Sequence, residues 1–239
     1  MLPIALFLYI AILLILTQVN SFAALAFVIV TSMVMKAYFP QIKGYIGEKR
    51  IHRVLEKLGE EYRIFNDMYV PKQDGQLTQV DHVVVSKYGV FVIETKNYSG
   101  WIFGSEKQKN WTQTIYKKKT RFYNPILQNN THIKALQYFL NMGMTMHSII
   151  VFSDAATLKF KEPFEKAVVI QNKDLRKTIT QFTQYTIPAY QLSYIEQRLQ
   201  TLVLATRKEK GVLKAKHFQH LKENAQPSKK PSPQQERKS

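Results

Sequence analysis

Residues 77–96, LTQVDHVVVSKYGVFVIETK, constrain the fold of this chain most tightly. Two runs rich in valine, isoleucine and phenylalanine flank Lys87 and Tyr88, which is the pattern of a β-hairpin. A two-residue loop pairs Ser86 with Gly89, and counting back sets Asp81 opposite Glu94. A three-residue loop that takes in Gly89 shifts the register by one and leaves the two acids near neighbours. Directly opposed Cβ atoms lie about 4.5–5.5 Å apart. Lys96, two residues beyond Glu94, shares its face. The hairpin therefore predicts one spot where Asp81, Glu94 and Lys96 converge within an otherwise apolar strand pair.

Two carboxylates at that separation repel each other. A shared proton is one solution, and a divalent cation between them is the other. Hard oxygen ligands suit Mg²⁺ or Mn²⁺, with water completing the shell. A lysine beside such a cation makes sense as a group that orients an attacking water or offsets charge on a phosphate. The pattern D-x₁₂-E-x-K on a hairpin thus describes a metal-dependent phosphodiesterase site. The plainer alternative is an ion pair between Glu94 and Lys96 on the polar face of a half-exposed strand.

Charge is consistent with a polyanionic substrate. The 239 residues include 34 Lys and Arg against 17 Asp and Glu, a formal net charge of +17. Such an excess favours nucleic acid or an anionic membrane surface as partner, with simple solubility as the bland alternative. The chain has no cysteine, which excludes disulfides, a thiol nucleophile and thiolate metal sites. It has no P-loop and no dinucleotide-binding glycine fingerprint.

The two ends lie outside the central domain. Residues 1–38 form an apolar segment with no charged residue before Lys36. A bilayer-spanning helix needs about 20 apolar residues. The polar step TQVNS at 17–21 allows one long tilted transmembrane helix or two short helices, near 2–16 and 22–38, joined by a tight turn. Lys36, Lys43, Lys49 and Arg50 follow, so the positive-inside rule puts the rest of the chain in the cytoplasm, tethered to the cell membrane. At the other end, 211–239 is expected to be a disordered basic tail; from residue 222 it reads KENAQPSKKPSPQQERKS, with no large apolar residue.

Between the ends, helical spacing of Ile46, Ile51, Val54, Leu55 and Leu58 predicts a helix over 44–60. Strands are expected at 62–70, 77–86, 89–96, near Trp101–Phe103 and Trp111–Tyr116, at 147–153 and at 166–170. Helices are expected at 125–141, opening on Asn124-Pro125, at 173–184 and at 189–206. This order predicts a mixed α/β domain with a central sheet: a core over 39–150, completed by 151–210. Lys117, Lys118, Lys119 and Arg121, interleaved with Tyr116, Phe122 and Tyr123, form a basic and aromatic patch suited to nucleic acid. His82 points to the face opposite Asp81 and reads as a packed side chain. His52, His132 and His147 show no ligand spacing.

Several stretches together resemble the nuclease-related domain (NERD) family, within the restriction-endonuclease-like PD-(D/E)xK superfamily. They are GYIGE (44–48), QVDHVVVSKYGVFVIETKNYSGWIFG (79–104), Trp111 and NPILQ (124–128), covering roughly residues 42–150. Val80, not proline, precedes Asp81, an aliphatic residue that the NERD pattern tolerates. The resemblance implies a restriction-endonuclease-like core, with Asp81, Glu94 and the Thr95 carbonyl holding Mg²⁺ or Mn²⁺ and Lys96 positioning the water. It implies that Glu48, on the first helix of the domain, completes the acidic cluster. Gln79, two residues from Asp81, is expected to bond a metal water or a phosphate, and Gln128 to face the sheet from the second helix. The resulting expectation is a membrane-anchored nuclease facing the cytoplasm, with DNA as the expected substrate. The competing expectations are a non-catalytic membrane-tethered module that binds nucleic acid or protein, and a basic surface that meets only anionic lipid.

Overall fold

The computed structural model of the chain describes residues 2–19 and 21–206. It divides into two compact units, Met1–Lys49 and Arg50–Ser239. In the first unit, helix α1 (Leu2–Val19) packs against helix α2 (Ser21–Leu55), which continues into the second unit. The Tyr9 ring stacks on Phe27 at 5.4 Å, and the Tyr9 hydroxyl lies 3.5 Å from Thr31 Oγ1. The two-helix alternative therefore describes this region. The helices expected at 22–38 and 44–60 are one continuous element, α2. Among the described residues no helix is long and apolar enough to cross a membrane. Helix α1 has 18 residues, at the short end of what a span needs, and α2 meets its first charge at Lys36. The expected tail over 211–239 lies outside the described residues.

The second unit is built on two sheets. The first has strand order β1 (Arg63–Pro71), β2 (Leu77–Ser86), β3 (Gly89–Lys96), β7 (His147–Phe152), β9 (Val168–Gln171). Its first three strands are antiparallel, and β3, β7 and β9 are parallel. The second sheet has the order β6 (Lys118–Tyr123), β5 (Asn110–Ile115), β4 (Gly100–Phe103), β8 (Ala156–Leu158). Helix α3 (Pro125–Leu140) and a helix α5 over 189–206 pack on one face of the first sheet, through Ala135, Leu136, Leu140, Ile195 and Leu199 against Val83, Val85, Val90 and Val92. The end of α2 and the short helix α4 (Leu175–Thr180) cover the opposite face, where Ile51, Leu55, Leu175 and Ile179 meet Val84, Phe91, Ile93 and Val151. The central hairpin is therefore buried on both faces, which is why it reads as near-continuous apolar sequence.

A third core lies around Trp111, with Ile102, Ile126, Phe152 and Ala156. Here two glycines are required. Gly104 lets the Trp111 ring lie against the backbone, since an added Cβ would fall 2.4 Å from ring carbons. Gly100 has φ +78° at the start of β4, where a Cβ would meet the Thr114 carbonyl oxygen at 2.5 Å. Gly100→Ala is expected to lower stability by about 1–3 kcal/mol, measured by urea denaturation.

Candidate metal and phosphodiester site

The β2–β3 hairpin turns through Lys87 and Tyr88 with Ser86 paired to Gly89, and the ladder runs back to His82 opposite Ile93. The next rung would pair Asp81 with Glu94, but the ladder stops there. The β1–β2 ladder also skips this level, passing from Asn66–His82 to Met68–Val80, with Asp67 at φ 52°. Val80 and Val83 lie in the same core cluster. Strict alternation would put residues three apart on opposite faces, so β2 turns over between Val80 and Val83, at the level of Asp81. The break opens the sheet where the charged residues gather, and Asp81 uses it: its Oδ2 accepts a hydrogen bond from the Thr95 backbone N–H at 2.9 Å.

Glu94 is 2% exposed. Its Oε1 accepts from Lys96 Nζ at 2.6 Å, and its Oε2 lies 3.1 Å from His132 Nε2. A carboxylate only accepts, so the His132 Nε2–H donates. His132 Nδ1 is 2.9 Å from Thr78 Oγ1. Lys96 Nζ also donates to Gln128 Oε1 at 3.0 Å. The chain Thr78–His132–Glu94–Lys96–Gln128 thus joins three elements, β2, β3 and α3.

Helix α3 is set in register for this role by its own N-terminus. Asn124 accepts from Ile126 N at 2.9 Å and donates to the carbonyls of Ser105, Glu106 and Gln108, while Pro125 needs no N–H partner in the first turn. Asn129 Nδ2 then donates at 2.8 Å to Val92 O and to Ser148 Oγ, tying the helix to β3 and β7.

Burial opposes charge on Glu94, but the Lys96 ammonium and the His132 hydrogen bond outweigh it and hold the carboxyl below its usual range. Burial likewise opposes charge on Lys96, and Glu94, with Asp81 behind it, outweighs that and raises its pKa. At neutral pH Glu94 and Lys96 are therefore ionised. Two hard carboxylates, one held charged and fully buried at a break in the sheet, suit Mg²⁺ or Mn²⁺, ions that keep several waters. Among the described residues no group of three His, Cys, Asp or Glu is placed to hold a metal, so water or backbone carbonyls would have to supply the remaining ligands.

Gln79 and the basic patch lie elsewhere. Gln79 is not drawn into the cluster. Its amide donates to Asp67 Oδ1 at 3.0 Å and its carbonyl accepts from the Tyr69 hydroxyl at 3.4 Å, because the strand turns over between it and His82. Glu48 is half-buried on α2. The basic patch divides: Lys119 and Arg121 line a groove on the second sheet, Lys117 lies in the β5–β6 turn beside the exposed Tyr116, Lys118 is exposed on β6, and Phe122 packs into the Trp111 core. His132 and Thr78 are additions that the sequence reading lacks. The signal for His132 is its place four residues after Gln128, one helical turn along the same face.

His82 lies on the far face, buried, with Nδ1 at 2.6 Å from Asn66 Oδ1, which in turn is the partner of His52. Burial pushes its pKa down to about 3. The unfolded chain takes up this proton near pH 6.5 and the folded protein does not, so stability is present above pH 6.5 and falls as pH drops toward 3. The expected slope is about 1.4 kcal/mol per pH unit. His82→Leu is expected to flatten the denaturation curve between about pH 6 and pH 5, above the range where Glu94 contributes.

Residues 43–153 match the family model described as the nuclease-related domain. An uncharacterized protein of Bacillus anthracis is 36% identical over 199 residues, which cover 82% of this chain and 92% of that protein. No solved structure matches the chain.

Proposed function

The chain belongs to the nuclease-related domain (NERD) family, and on that premise we propose that it hydrolyses nucleic acid phosphodiesters in a Mg²⁺- or Mn²⁺-dependent reaction. The observation that carries the reading is the buried, ionised Glu94 bonded to Lys96 beside Asp81. A carboxylate kept charged with so little exposure needs a function or a compensating gain, and a cation site supplies one. Asp81 and Glu94 would hold the metal, which would supply Lewis-acid polarisation of the phosphate and lower the pKa of a water. Lys96 stays protonated at neutral pH, so it acts as a donor and a positive charge toward the attacking water and the phosphate, not as a base. Gln128 fixes the Lys96 ammonium, and His132 with Thr78 fixes the Glu94 carboxylate. In the hydrolysis a water oxygen bonds to phosphorus, one ester P–O bond breaks, and the leaving sugar oxygen takes up the proton that the water gives up.

The N-terminal pair of helices joins this reading as an anchor at the cytoplasmic face of the cell membrane. Its support is the apolar exterior, with Phe7, Leu14, Ile15, Phe22 and Met33 all exposed, followed by the basic flank from Lys36. A non-catalytic binding module is the second reading; it is favoured by the fact that both oxygens of Glu94 already have protein partners. Thermal denaturation with added Mn²⁺ separates the two. The catalytic reading expects stabilisation of about 2.7 kcal/mol at about a hundred times the dissociation constant, lost in Asp81→Asn. No Mn²⁺-dependent shift in the wild type would sink it.

A further inference from the structure

The second sheet carries a surface that the hairpin chemistry does not use. Trp101 is 54% exposed and Phe103 38% exposed, although both sit on a short strand whose middle residue, Ile102, is fully buried. The ladders align them in two parallel rows across three strands. Trp101 pairs with Thr114 and Thr114 with Lys119; Phe103 pairs with Thr112 and Thr112 with Arg121. These six residues line one groove of about 810 Å³. Each row therefore runs from an aromatic ring across a threonine to a cation, with the Thr114 hydroxyl itself buried. Lys159 Nζ adds a further positive charge 5.7 Å from the Trp101 ring. Among the described residues no acid lines the groove.

We propose that this face is a stacking platform for single-stranded nucleic acid, one nucleotide to each row. The rows are two residues apart along the strand, about 6.8 Å, a step that an extended single strand matches without being compressed. Each base lies on an aromatic ring, and the sugar-phosphate runs toward the cation beyond. Two exposed rings nearly perpendicular to one another, 6.3 Å between centroids, offer faces to unpaired bases; a duplex keeps its base faces internal and cannot use them. Rows of this kind give no base-edge readout, so the platform takes any sequence. Lys96 and Trp101 are five positions apart in the chain, so their Cα atoms are no more than about 18 Å apart. A strand held on the platform lies within a few nucleotides of the hairpin. The substrate assignment rests on the nuclease reading given above, but the platform itself does not need turnover.

The test uses the full-length protein in detergent with EDTA, so that no cutting occurs, and a short labelled oligothymidylate. The chain has 2 tryptophans, and Trp111 is fully buried, so quenching of intrinsic fluorescence on binding reports Trp101. Stacking is worth about 1–3 kcal/mol per base, so Trp101→Ala and Phe103→Ala should each weaken binding about tenfold. Trp101→Phe should restore the affinity while removing the quenching. Arg121→Gln should reduce the slope of log affinity against log salt by about 0.7, the value for one phosphate on a single strand. Unchanged affinity in Trp101→Ala, a duplex bound as tightly as the single strand, or binding to phosphatidylserine vesicles but not to the oligonucleotide would each overturn the proposal. The expected binding in EDTA, with no cleavage when metal is added, would remove the nuclease reading and leave the platform. Cleavage with affinities unaffected by Trp101→Ala would remove the platform alone.

Discussion

Glu94→Gln is expected to remain folded and to lose about 10³-fold of its turnover. The side chain is enclosed, so an isosteric amide keeps the packing. It retains one oxygen that accepts from either Lys96 or His132, but it turns an NH₂ group toward the other donor. The larger change is charge. Glu94 is the fully buried acid of the cluster, and the negative charge that holds a divalent cation and fixes Lys96 disappears with it. Lys96 then loses the main influence that raises its pKa, and burial is left to lower it. The alkaline limb of any residual activity should therefore move to lower pH. Steady-state cleavage across pH, with circular dichroism to verify the fold, reads both effects. A loss of less than about tenfold would place Glu94 outside the chemistry.

Lys96→Met is expected to be the most destabilising single change at the site, by about 3–5 kcal/mol. Its side chain is only 15% exposed and that of Glu94 3%. Removing the ammonium leaves a buried carboxylate with His132 as its remaining partner. The sign of the pH response should reverse with it. In the wild type the pKa of Glu94 is lowered, so its contribution is present above the unfolded value near 4.5 and is lost as pH falls. In Lys96→Met burial raises that pKa, so the variant gains stability on acidification as Glu94 takes up a proton. Adding Glu94→Leu removes the orphaned charge and should recover most of the loss. Urea denaturation of the two single variants and the double gives the coupling directly. A cost below about 1 kcal/mol for Lys96→Met would mean that the pair behaves as an exposed one.

The hairpin is legible in the amino-acid order because its two apolar runs leave only Lys87 and Tyr88 for the loop, and a two-residue loop sets the register of both strands. The helix at 125–140 is legible from Asn124-Pro125, a cap followed by a first-turn proline. Other parts are hidden for identifiable reasons. Strand β6 is exposed along most of its length, so Lys118–Arg121 has no apolar alternation to announce a strand. Strand β8 has three residues, too few for a period. Pro40 lies between the helices expected at 22–38 and 44–60, yet α2 runs through it. Simple alternation places Gln79 on the face of Asp81, and it fails because β2 turns over at the break opposite Asp67. His132 reads in the sequence as a lone histidine. Only the reach of α3 over β3 makes it a partner of Glu94, and that depends on packing between segments 38 residues apart.

Whether the hairpin cluster is a metal-dependent phosphodiester site is decided by cleavage of single- and double-stranded DNA and RNA by the full-length protein, with Mg²⁺, Mn²⁺ or EDTA. Cutting should require the metal, be abolished by EDTA, and be lost in Glu94→Gln purified in parallel. Folded protein that binds these nucleic acids and cuts none of them with either metal, or cuts equally well in EDTA, would contradict the assignment.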